Sequence, residues 1–325
     1  MQATDKYIVI TTINQNTAAI QAFENFPDWR VILVGDKKTP ESQSPGFLSC
    51  DRQRNLNLSL DSYVPYNHYA RKNIGYLYAL KSGASIIYDT DDDNIPYDDW
   101  RILDFNSNVC LYSENKYLNI YKYFSVRNIW PRGLPLDEIS AVGDCVDGTQ
   151  ARIGVWQGIA DKDPDVDAIY RLTDNSPCIF DKKPPVHINA SSYCPFNSQN
   201  TTWTTAVFPL MYLPSTVSFR FTDILRGYVA QRVMREHDFA LGFHGATVYQ
   251  ERNEHDLMSD FMSEVICYTR IKELVGILDS LPLGKTMHND LIDVYRALYA
   301  NEFVEHAELE ILNAWLSDIK GITHG

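Results

Sequence analysis

Residues 85–94 of the chain read SIIYDTDDDN, and this stretch decides the fold. An apolar, β-branched run comes first, and four aspartates follow within five positions: Asp89, Asp91, Asp92 and Asp93. Aspartate is unfavourable in strands, and adjacent carboxylates repel one another unless a cation lies among them. The stretch therefore predicts a buried strand over residues 85–88 that ends at an edge of the sheet where a ligand binds.

The segments before this stretch alternate between strand and helix patterns. Residues 7–13 (YIVITTI) are β-branched and nearly all apolar, as a strand covered on both faces is, and residues 30–34 (RVILV) predict a second strand. Residues 17–26 predict a short helix, and residues 67–82 predict a longer one that Gly83 ends. Such alternation predicts a doubly wound α/β domain with a mostly parallel, Rossmann-like sheet, in which ligands bind at the carboxyl ends of the strands.

The rest of the chain has a different pattern. Residues 105–220 are rich in Pro, Gly, Asn and aromatic residues, so we expect short strands and functional loops of the same domain. From residue 256 onward, apolar residues recur at helical spacing. We therefore expect a catalytic domain over residues 1–255 and a helical C-terminal extension over residues 256–325. The extension would complete the acceptor site, form a homodimer, or dock to a partner or a membrane surface, although apolar stripes of this kind more often belong to a core.

Composition limits the classes of function. The 325 residues are 45% hydrophobic, which is enough for a large core, and the net charge of −13 argues against broad binding to nucleic acid or anionic membranes. The six cysteines lack metal-site or redox spacing, and no signal peptide or long apolar run precedes the first strand. We expect reduced thiols and a cytoplasmic protein, either free or peripheral to the inner face of a membrane. A segment of a membrane-anchored parent protein is the alternative.

The aspartates of residues 89–93 predict a site for a divalent cation. Mg²⁺ and Mn²⁺ prefer oxygen ligands, and Mg²⁺ is typically held by one or two carboxylates together with substrate phosphates. The alternative is a solvated acidic turn, which the following Asn-Ile-Pro (94–96) would favour. An EF-hand is excluded, because no glycine or terminal glutamate stands at the required loop positions.

The helix before the acidic strand carries Arg71, Lys72 and Asn73. Two cations and an amide beside a metal suit a diphosphate and its ribose. An ordinary solvated basic face is the alternative. The position of this helix directly before the aspartates favours a ligand-binding role.

These two segments together resemble the nucleotide-binding half of GT-A glycosyltransferases. The chain also resembles, more specifically, the STELLO family of glycosyltransferase-like proteins, through matching segments spread over residues 7–255. These segments are IVITTIN, VGDKKTP, PYNHYARKNIGYLYAL, IIYDTDDDN, WPRGLPLDEI, ADKDPDVDAIYRLT, PFNSQNTTW and FTDILRGYVAQR. A weaker resemblance, to the UDP-arabinopyranose mutases or reversibly glycosylated polypeptides, rests on the DDD strand, on Arg-Gly-x-Pro at 132–135 and on Pro-Asp-x-Asp-Ala at 164–168.

The resemblance implies a nucleotide-sugar donor, with UDP-sugar favoured, and a Mn²⁺ or Mg²⁺ cofactor. The residues that it assigns to the nucleotide-sugar lie after the first strands, in the basic helix and in the DDD motif: Thr11, Thr12, Asn14, Asp36, Arg71, Lys72, Asp91 and Asp92. Asp36 is expected to accept the uracil N–H, and Asp91 to meet the ribose. The neighbouring lysines, Lys37 and Lys38, are expected to be solvated.

The resemblance also implies a set of metal ligands. Asp93 is expected to coordinate the metal, together with Asp91. The further ligand in this fold usually comes from a histidine near the end of the catalytic domain, which here is His244 or His255. His255 is favoured because VYQERNEH resembles the family, although the mutase pattern has its histidine nearer Gln250. A hydrogen-bonding or surface role is the alternative for either histidine.

The sugar and acceptor side follows from the same resemblance. Asp165, Asp167 and Asn200 are expected to bind the reacting sugar or the acceptor. Asp223 matches the position of the base in inverting GT-A enzymes, and an aspartate there also suits a helix N-terminus. The implied reaction transfers a sugar to a hydroxyl group of a glycan or other acceptor, in surface polysaccharide synthesis. Asp223 would deprotonate that hydroxyl, and no nucleic acid would be involved.

Two other functions stay open on the sequence. In the mutase-like relatives, an arginine in the context of Arg132 carries the sugar during reversible self-glycosylation. The chain would then be a UDP-sugar mutase or a self-glycosylating carrier, unless Arg132 anchors a loop or clamps a phosphate. The third interpretation is a scaffold that binds a nucleotide-sugar without turning it over, because fold analogy alone does not fix function.

Overall fold

Ten strands of the described chain form one sheet with helices on its faces. The structure, a computed structural model, describes residues 5–14, 16–113, 115–251 and 256–324. The strands are β1 (Lys6–Thr11), β2 (Arg30–Val34), β3 (Phe47–Leu48), β4 (Ile86–Asp91), β5 (Asn94–Pro96), β6 (Asn106–Ser113), β7 (Asp144–Lys162), β8 (Val186–Ile188), β9 (Asn200–Thr204) and β10 (Ala240–Gln250). The helices are α1 (Ala18–Glu24), α2 (Cys50–Arg54), α3 (Lys72–Lys81), α4 (Ile120–Phe124), α5 (Ala168–Thr173), α6 (Thr222–Arg235), α7 (Leu257–Thr269), α8 (Ile271–Ser280), α9 (Met287–Ala300) and α10 (Ala307–His324).

The first part of the sheet is parallel, as the sequence predicts. Its strands lie in the order β3, β2, β1 and β4, and each neighbouring pair is parallel. At the end of β1, Thr11 pairs with Val34 of β2 and with Asp91 of β4. The carboxyl ends of the three strands therefore meet at one edge, which is where an open α/β sheet binds its ligands.

The second part of the sheet is mixed, which corrects the prediction of a mostly parallel sheet. β9 lies antiparallel to both β4 and β7, and β6 lies antiparallel to β7. Parallel pairing resumes between β7 and β10. Within residues 92–220, most strands are joined by loops and short 3₁₀ segments instead of crossover helices. Consecutive strands can be parallel only when a crossover connection joins them, so this part of the sheet is mixed. The α/β class is confirmed, with a large central mixed sheet.

The helix predicted over residues 67–82 is shorter than expected. Asn67 has a positive φ of 53°, and the side chain of His68 caps a 3₁₀ turn over Tyr69–Arg71, so the regular helix α3 begins at Lys72. Gly83 follows the helix with a φ of 87°, a conformation that glycine adopts without strain. The predicted stop is thus present, whereas the start is displaced by the turn.

The four helices after residue 256 pack into the core that also contains the apolar side chains of the sheet. Leu298 and Trp315 are buried in the same cluster as Tyr212 and Val155. The carboxylate of Asp318 on α10 accepts from the backbone N–H of Ser59 and of Leu60, both at 2.9 Å. This segment therefore contributes to the main core. The predicted domain boundary, between residues 255 and 256, adjoins residues 252–255, which lie outside the described residues.

The cysteines differ from the expectation of reduced thiols. Cys110 on β6 and Cys145 on β7 form a disulfide across the antiparallel pair, with their Cα atoms 5.6 Å apart. The prediction is wrong for these two residues, because the pairing of β6 with β7 brings together cysteines that are 35 positions apart in sequence. Since disulfides are rare in cytosolic proteins, the cysteines no longer favour a cytoplasmic location. None of the described helices has the length and apolar character needed to cross a membrane.

Candidate functional site

A cavity of about 420 Å³ opens where the carboxyl ends of β1, β2 and β4 meet. Its other walls come from the segments before α5 and α6 and from the end of β10. The cavity brings together most of the residues predicted for the site: Thr11, Thr12, Asn14, Asp36, Arg71, Asp91, Asp92, Asp93, Arg132, Asp165 and Asp223. Residues from both halves of the sheet therefore line one cavity, which we call the main pocket.

The ends of β1 and β2 fix two carboxylates in the main pocket. The Thr12 hydroxyl and, at 3.0 Å, the Asn14 side-chain amide donate to the carboxylate of Asp92. The carboxylate of Asp36 accepts from the backbone N–H of Asn67 at 2.6 Å and of Lys37 at 2.7 Å. Both carboxylates are oriented by protein donors before any ligand binds.

Lys72 lies beneath the main pocket and does not line it. Its fully buried ammonium is 2.7 Å from Asp89 Oδ1 and 2.9 Å from Asp91 Oδ1, and it donates to the carbonyl of Thr90 at 2.6 Å. Burial alone would lower the pKa of Lys72, but the two aspartates outweigh it and raise that pKa. Lys72 therefore acts as a fixed positive charge under the acidic strand, not as the ligand contact that the sequence predicted.

The four aspartates of the opening stretch separate into two roles. Asp89 is fully buried between Lys72 and Arg226, whose Nη1 lies 2.8 Å from Asp89 Oδ2. The other three line the main pocket. Asp89 therefore forms buried ion pairs within the core, and the pocket carboxylates are Asp91, Asp92 and Asp93.

The pKa of Asp93 in the main pocket is raised. Burial first, and then the charges of Asp91 and Asp92, raise its pKa to about 7, although the side-chain amide of Gln250 donates to its Oδ2 at 2.7 Å. In the part of the chain that the structure describes, no group of three or more His, Cys, Asp or Glu side chains is arranged to hold a metal ion. Two pocket carboxylates together with ligand phosphates would still be a suitable oxygen donor set for Mg²⁺ or Mn²⁺. The residues at the end of β4 thus fit such a cation.

Arg132 holds two carboxylates on the opposite wall of the main pocket. Its Nε and Nη2 donate to the two oxygens of Asp165, both at 2.8 Å. Its Nη1 and Nη2 donate to the two oxygens of Asp223 at 3.1 and 2.9 Å, and Nη1 also donates to the carbonyl of Arg220. All five N–H donors of the guanidinium are therefore used.

The charges in this group shift the pKa values in opposite directions. Burial alone would lower the pKa of Arg132, but Asp165 and Asp223 outweigh it and hold that pKa well above its ordinary value. Burial alone would raise the pKa of Asp165, but Arg132 holds it below its ordinary value. Arg132 therefore stays protonated, and its role is to orient two carboxylates.

Several predicted residues lie outside the main pocket. The buried carboxylate of Asp167 caps α5, accepting from the backbone N–H of Tyr170 at 2.8 Å and from Trp130 Nε1 at 2.6 Å, and burial raises its pKa to about 6. Asn200 is buried in the sheet, where its amide donates to the carbonyl of Ile159 at 2.9 Å. Neither side chain lines the pocket wall.

Of the two histidines predicted as metal ligands, the structure describes His244, and that residue does not line the main pocket. His244 is buried beside Trp156, its Nδ1 lies 2.8 Å from the carbonyl of Gly245, and burial lowers its pKa to about 4. It is therefore a neutral core histidine away from the aspartates. His255 lies outside the described residues.

Arg71 lines the main pocket but is largely occupied by the protein. Its guanidinium donates to the side chain of Gln53 at 3.1 Å, to Asp61 at 2.6 Å and to the carbonyl of Val64 at 3.2 Å. One wall of the pocket is thus stabilised by a buried arginine with little remaining capacity for a ligand.

Sequence reasoning missed several residues of the main pocket. These are Tyr69, Asn197, Gln199, Arg171, Phe219, Arg220 and Gln250. Most of them stand in segments already singled out, such as PFNSQNTTW for Asn197 and Gln199, or next to Asp223 for Phe219 and Arg220. Their position within these segments could have pointed to them as pocket residues. The direction in which each side chain faces depends on the tertiary fold and cannot be read from the sequence.

The sheet edge and its carboxylate-lined cavity define the protein as an α/β protein with a ligand site at the carboxyl ends of parallel strands. Comparison with known proteins identifies the relatives. The chain is 28% identical over 345 residues to Probable glycosyltransferase STELLO1 of Arabidopsis thaliana, covering 97% of this chain and 44% of the relative. It is 27% identical over 343 residues to Probable glycosyltransferase STELLO2 of the same plant, covering 97% of this chain and 45% of the relative.

The resemblance to the STELLO family that the sequence motifs indicated is thereby confirmed. The chain spans less than half the length of these two curated relatives. No protein-family model matches the chain.

Proposed function

We propose that the chain is a glycosyltransferase domain that moves a sugar from a nucleotide-sugar, preferably a UDP-sugar, to a hydroxyl group of a glycan or other acceptor. The observation that carries the proposal is the main pocket, in which the Asp91–Asp93 carboxylates and the Arg132–Asp165–Asp223 group line one cavity. The similarity to two proteins named as probable glycosyltransferases supports it. A role in surface polysaccharide synthesis belongs to the same proposal.

The donor would bind at the ends of β1, β2 and β4. Thr11, Thr12 and Asn14, which line the main pocket, would contact the ribose and base, and the Asp36 carboxylate would accept the uracil N–H. Asp91 and Asp93 would hold Mn²⁺ or Mg²⁺. Such a cation, when bound, stabilises the negative charge of the departing diphosphate. Lys38, an exposed side chain at the rim, has no carboxylate partner among the residues described and is available to the same phosphates.

The transfer itself would use the opposite wall. Asp223 would take the proton of the acceptor hydroxyl as that oxygen attacks the anomeric carbon, in an inverting reaction. Asp165 would accept a hydrogen bond from the sugar. Arg132 fixes the positions of both carboxylates, because each one receives two of its N–H donors. Fixed orientation of reacting groups lowers the barrier by removing the need to order them during the reaction.

The contacts of Arg132 weigh against the self-glycosylating alternative. An arginine that attacks a sugar carbon must present a nitrogen lone pair, whereas this guanidinium is buried, protonated and hydrogen-bonded through every N–H. The scaffold alternative predicts nucleotide-sugar binding without turnover. These alternatives are separable in solution.

The test is an assay of UDP release from UDP-sugars, with Mn²⁺ and with a panel of hydroxyl acceptors. Release that requires both Mn²⁺ and an acceptor supports the proposal. Sugar label that stays covalently on the protein, and is lost in Arg132→Ala, would establish the self-glycosylating carrier instead. Tight UDP binding with no turnover of any donor would establish the scaffold.

A further inference from the structure

Phe219 is unusually exposed for a phenylalanine, and it lies at the main pocket. Its side chain is 58% exposed, and every other phenylalanine of the described residues is less exposed. It begins a short 3₁₀ helix, Phe219–Phe221, which leads directly into α6 and Asp223. Leaving a large aromatic ring in water at a cavity rim has a cost that ligand contact would offset.

The ring of Phe219 is held in place by the donor side of the pocket. It packs edge-to-face against Tyr69, with ring centroids 5.5 Å apart and an interplanar angle of 70°. The Tyr69 hydroxyl in turn donates to Asp91 Oδ1 at 2.9 Å. This contact therefore places the Phe219 ring beside the proposed donor side, and Phe219 stands four residues before Asp223 in the sequence.

The neighbouring arginine has unused hydrogen-bond donors. Arg220 also lines the main pocket, and its Nε and Nη2 lie 2.7 and 2.6 Å from the same oxygen of the buried Glu264. Its Nη1 has no acceptor in the part of the chain that the structure describes. Free guanidinium N–H groups beside an aromatic face suit a ring that carries several hydroxyl oxygens.

The charges on this wall disfavour an anionic ligand. Three arginines, Arg132, Arg171 and Arg220, face four carboxylates. Those carboxylates are Asp163, Asp165, Asp223 and Glu264. An added carboxylate would therefore meet an excess of negative charge at low dielectric.

We propose that Phe219 and Arg220 form an acceptor subsite for a neutral pyranose glycan, whose ring packs on the Phe219 face while its hydroxyl oxygens accept from Arg220. This inference rests on the proposed function for its assignment as the acceptor side. The subsite selects neutral sugar rings over uronic acids and over hydroxyl-bearing peptides, which lack the flat apolar face.

The test is calorimetric titration of a neutral glucose tetrasaccharide, a galacturonate tetrasaccharide and a serine-containing peptide into the protein saturated with UDP and Mn²⁺. The neutral tetrasaccharide should bind, and at least about tenfold more tightly than the acidic one. Phe219→Ala should weaken its binding about tenfold, a loss within the range of a single aromatic contact, whereas Phe219→Trp should retain it. Phe219 is exposed, so neither change threatens folding, and Tyr299→Ala, at an exposed aromatic on α9, is the matched control.

The outcomes separate this subsite from the proposed function. Equal saccharide affinity in wild type and Phe219→Ala, preference for the acidic tetrasaccharide, or binding of the peptide alone would each overturn the subsite while UDP binding stands. Phe219-dependent binding of the neutral tetrasaccharide without any binding of UDP would support the subsite and overturn the proposed function.

Discussion

The guanidinium of Arg132 is joined to the carboxylate of Asp223 by two parallel hydrogen bonds, of 3.1 and 2.9 Å. The same guanidinium makes a second pair of bonds to Asp165. These aspartates come from different segments, one before α5 and the other in the first turn of α6. A single buried side chain thus sets the distance between the two carboxylates assigned to the sugar and the acceptor.

Replacing Arg132 with lysine should reduce turnover much more than donor binding. Lysine keeps the positive charge but cannot make two parallel pairs of hydrogen bonds, so Asp165 and Asp223 lose their fixed orientation. We expect kcat for UDP release to fall about 100-fold with little change in KM for the donor. Arg127→Lys, at an arginine paired with Asp174 outside the main pocket, is the control. An unchanged kcat in Arg132→Lys would contradict the positioning role.

Replacing Asp93 with asparagine should remove the effect of Mn²⁺ on UDP binding. The change takes away a carboxylate that would hold the cation but keeps the size of the side chain and an acceptor for Gln250. In titration calorimetry, Mn²⁺ should strengthen UDP binding to wild type at least about tenfold and leave Asp93→Asn unaffected. His244→Asn should behave as wild type, since that histidine lies outside the pocket. Persistent Mn²⁺ dependence in Asp93→Asn would place the cation elsewhere.

The free energy of unfolding should depend on pH through the protonation of Asp167. Burial raises its pKa to about 6 in the folded state, above the ordinary value of about 3.9 in the unfolded chain. The folded state therefore binds this proton more tightly, and the contribution of Asp167 to stability is greatest at low pH and declines as the pH rises from about 4 to about 6.

The comparison with Asp167→Asn isolates this contribution. The difference in free energy of unfolding, wild type minus Asp167→Asn, should decrease between pH 4 and 6 and become constant above pH 7, as measured by urea denaturation. Asp98→Asn, at an exposed position, should show no such trend. A difference that is constant across this range would show that the folded-state pKa is not raised.

Glu308 should be important for holding the C-terminal helices on the sheet domain. Its buried carboxylate accepts from the Tyr212 hydroxyl and from the backbone N–H groups of Ser215 at 3.0 Å and Thr216 at 2.7 Å. Glu308→Ala leaves these donors unsatisfied, and we expect a loss of about 2–4 kcal/mol in the free energy of unfolding. Glu310→Ala, exposed on the same helix, should change it by less than about 0.5 kcal/mol. Equal effects of the two changes would argue against an integrated C-terminal segment.

The elements that the sequence predicted well are those whose pattern is local. After Arg30, residues 31–34 are apolar, and β2 forms with the expected bounds of 30–34, because the later part of this strand is buried. β4 extends to Asp91, three residues beyond the predicted end, since Lys72 and Arg226 neutralise Asp89 inside the core. β7 was not predicted as one strand of 19 residues, because its regularity comes from pairing with β6, β9 and β10.

The same distinction applies to the candidate site. The DDD motif identified one wall of the pocket, because clustered carboxylates after an apolar strand are visible in the sequence. The separation of buried Asp89 from the pocket aspartates depends on ion pairs made by distant residues. Likewise, nothing local distinguishes Asp167, a buried helix cap, from Asp165, which faces the pocket two residues earlier.

The enclosed ammonium of Lys72 has a thermodynamic consequence for recognition. Ordering a mobile lysine side chain on ligand binding would cost up to about 2 kcal/mol of conformational entropy. In this chain, Lys72 is already ordered by folding, so ligand binding does not include that cost. The electric field at the tip of β4 is consequently preorganised, and Lys72 has no further side-chain freedom to lose when a molecule binds there.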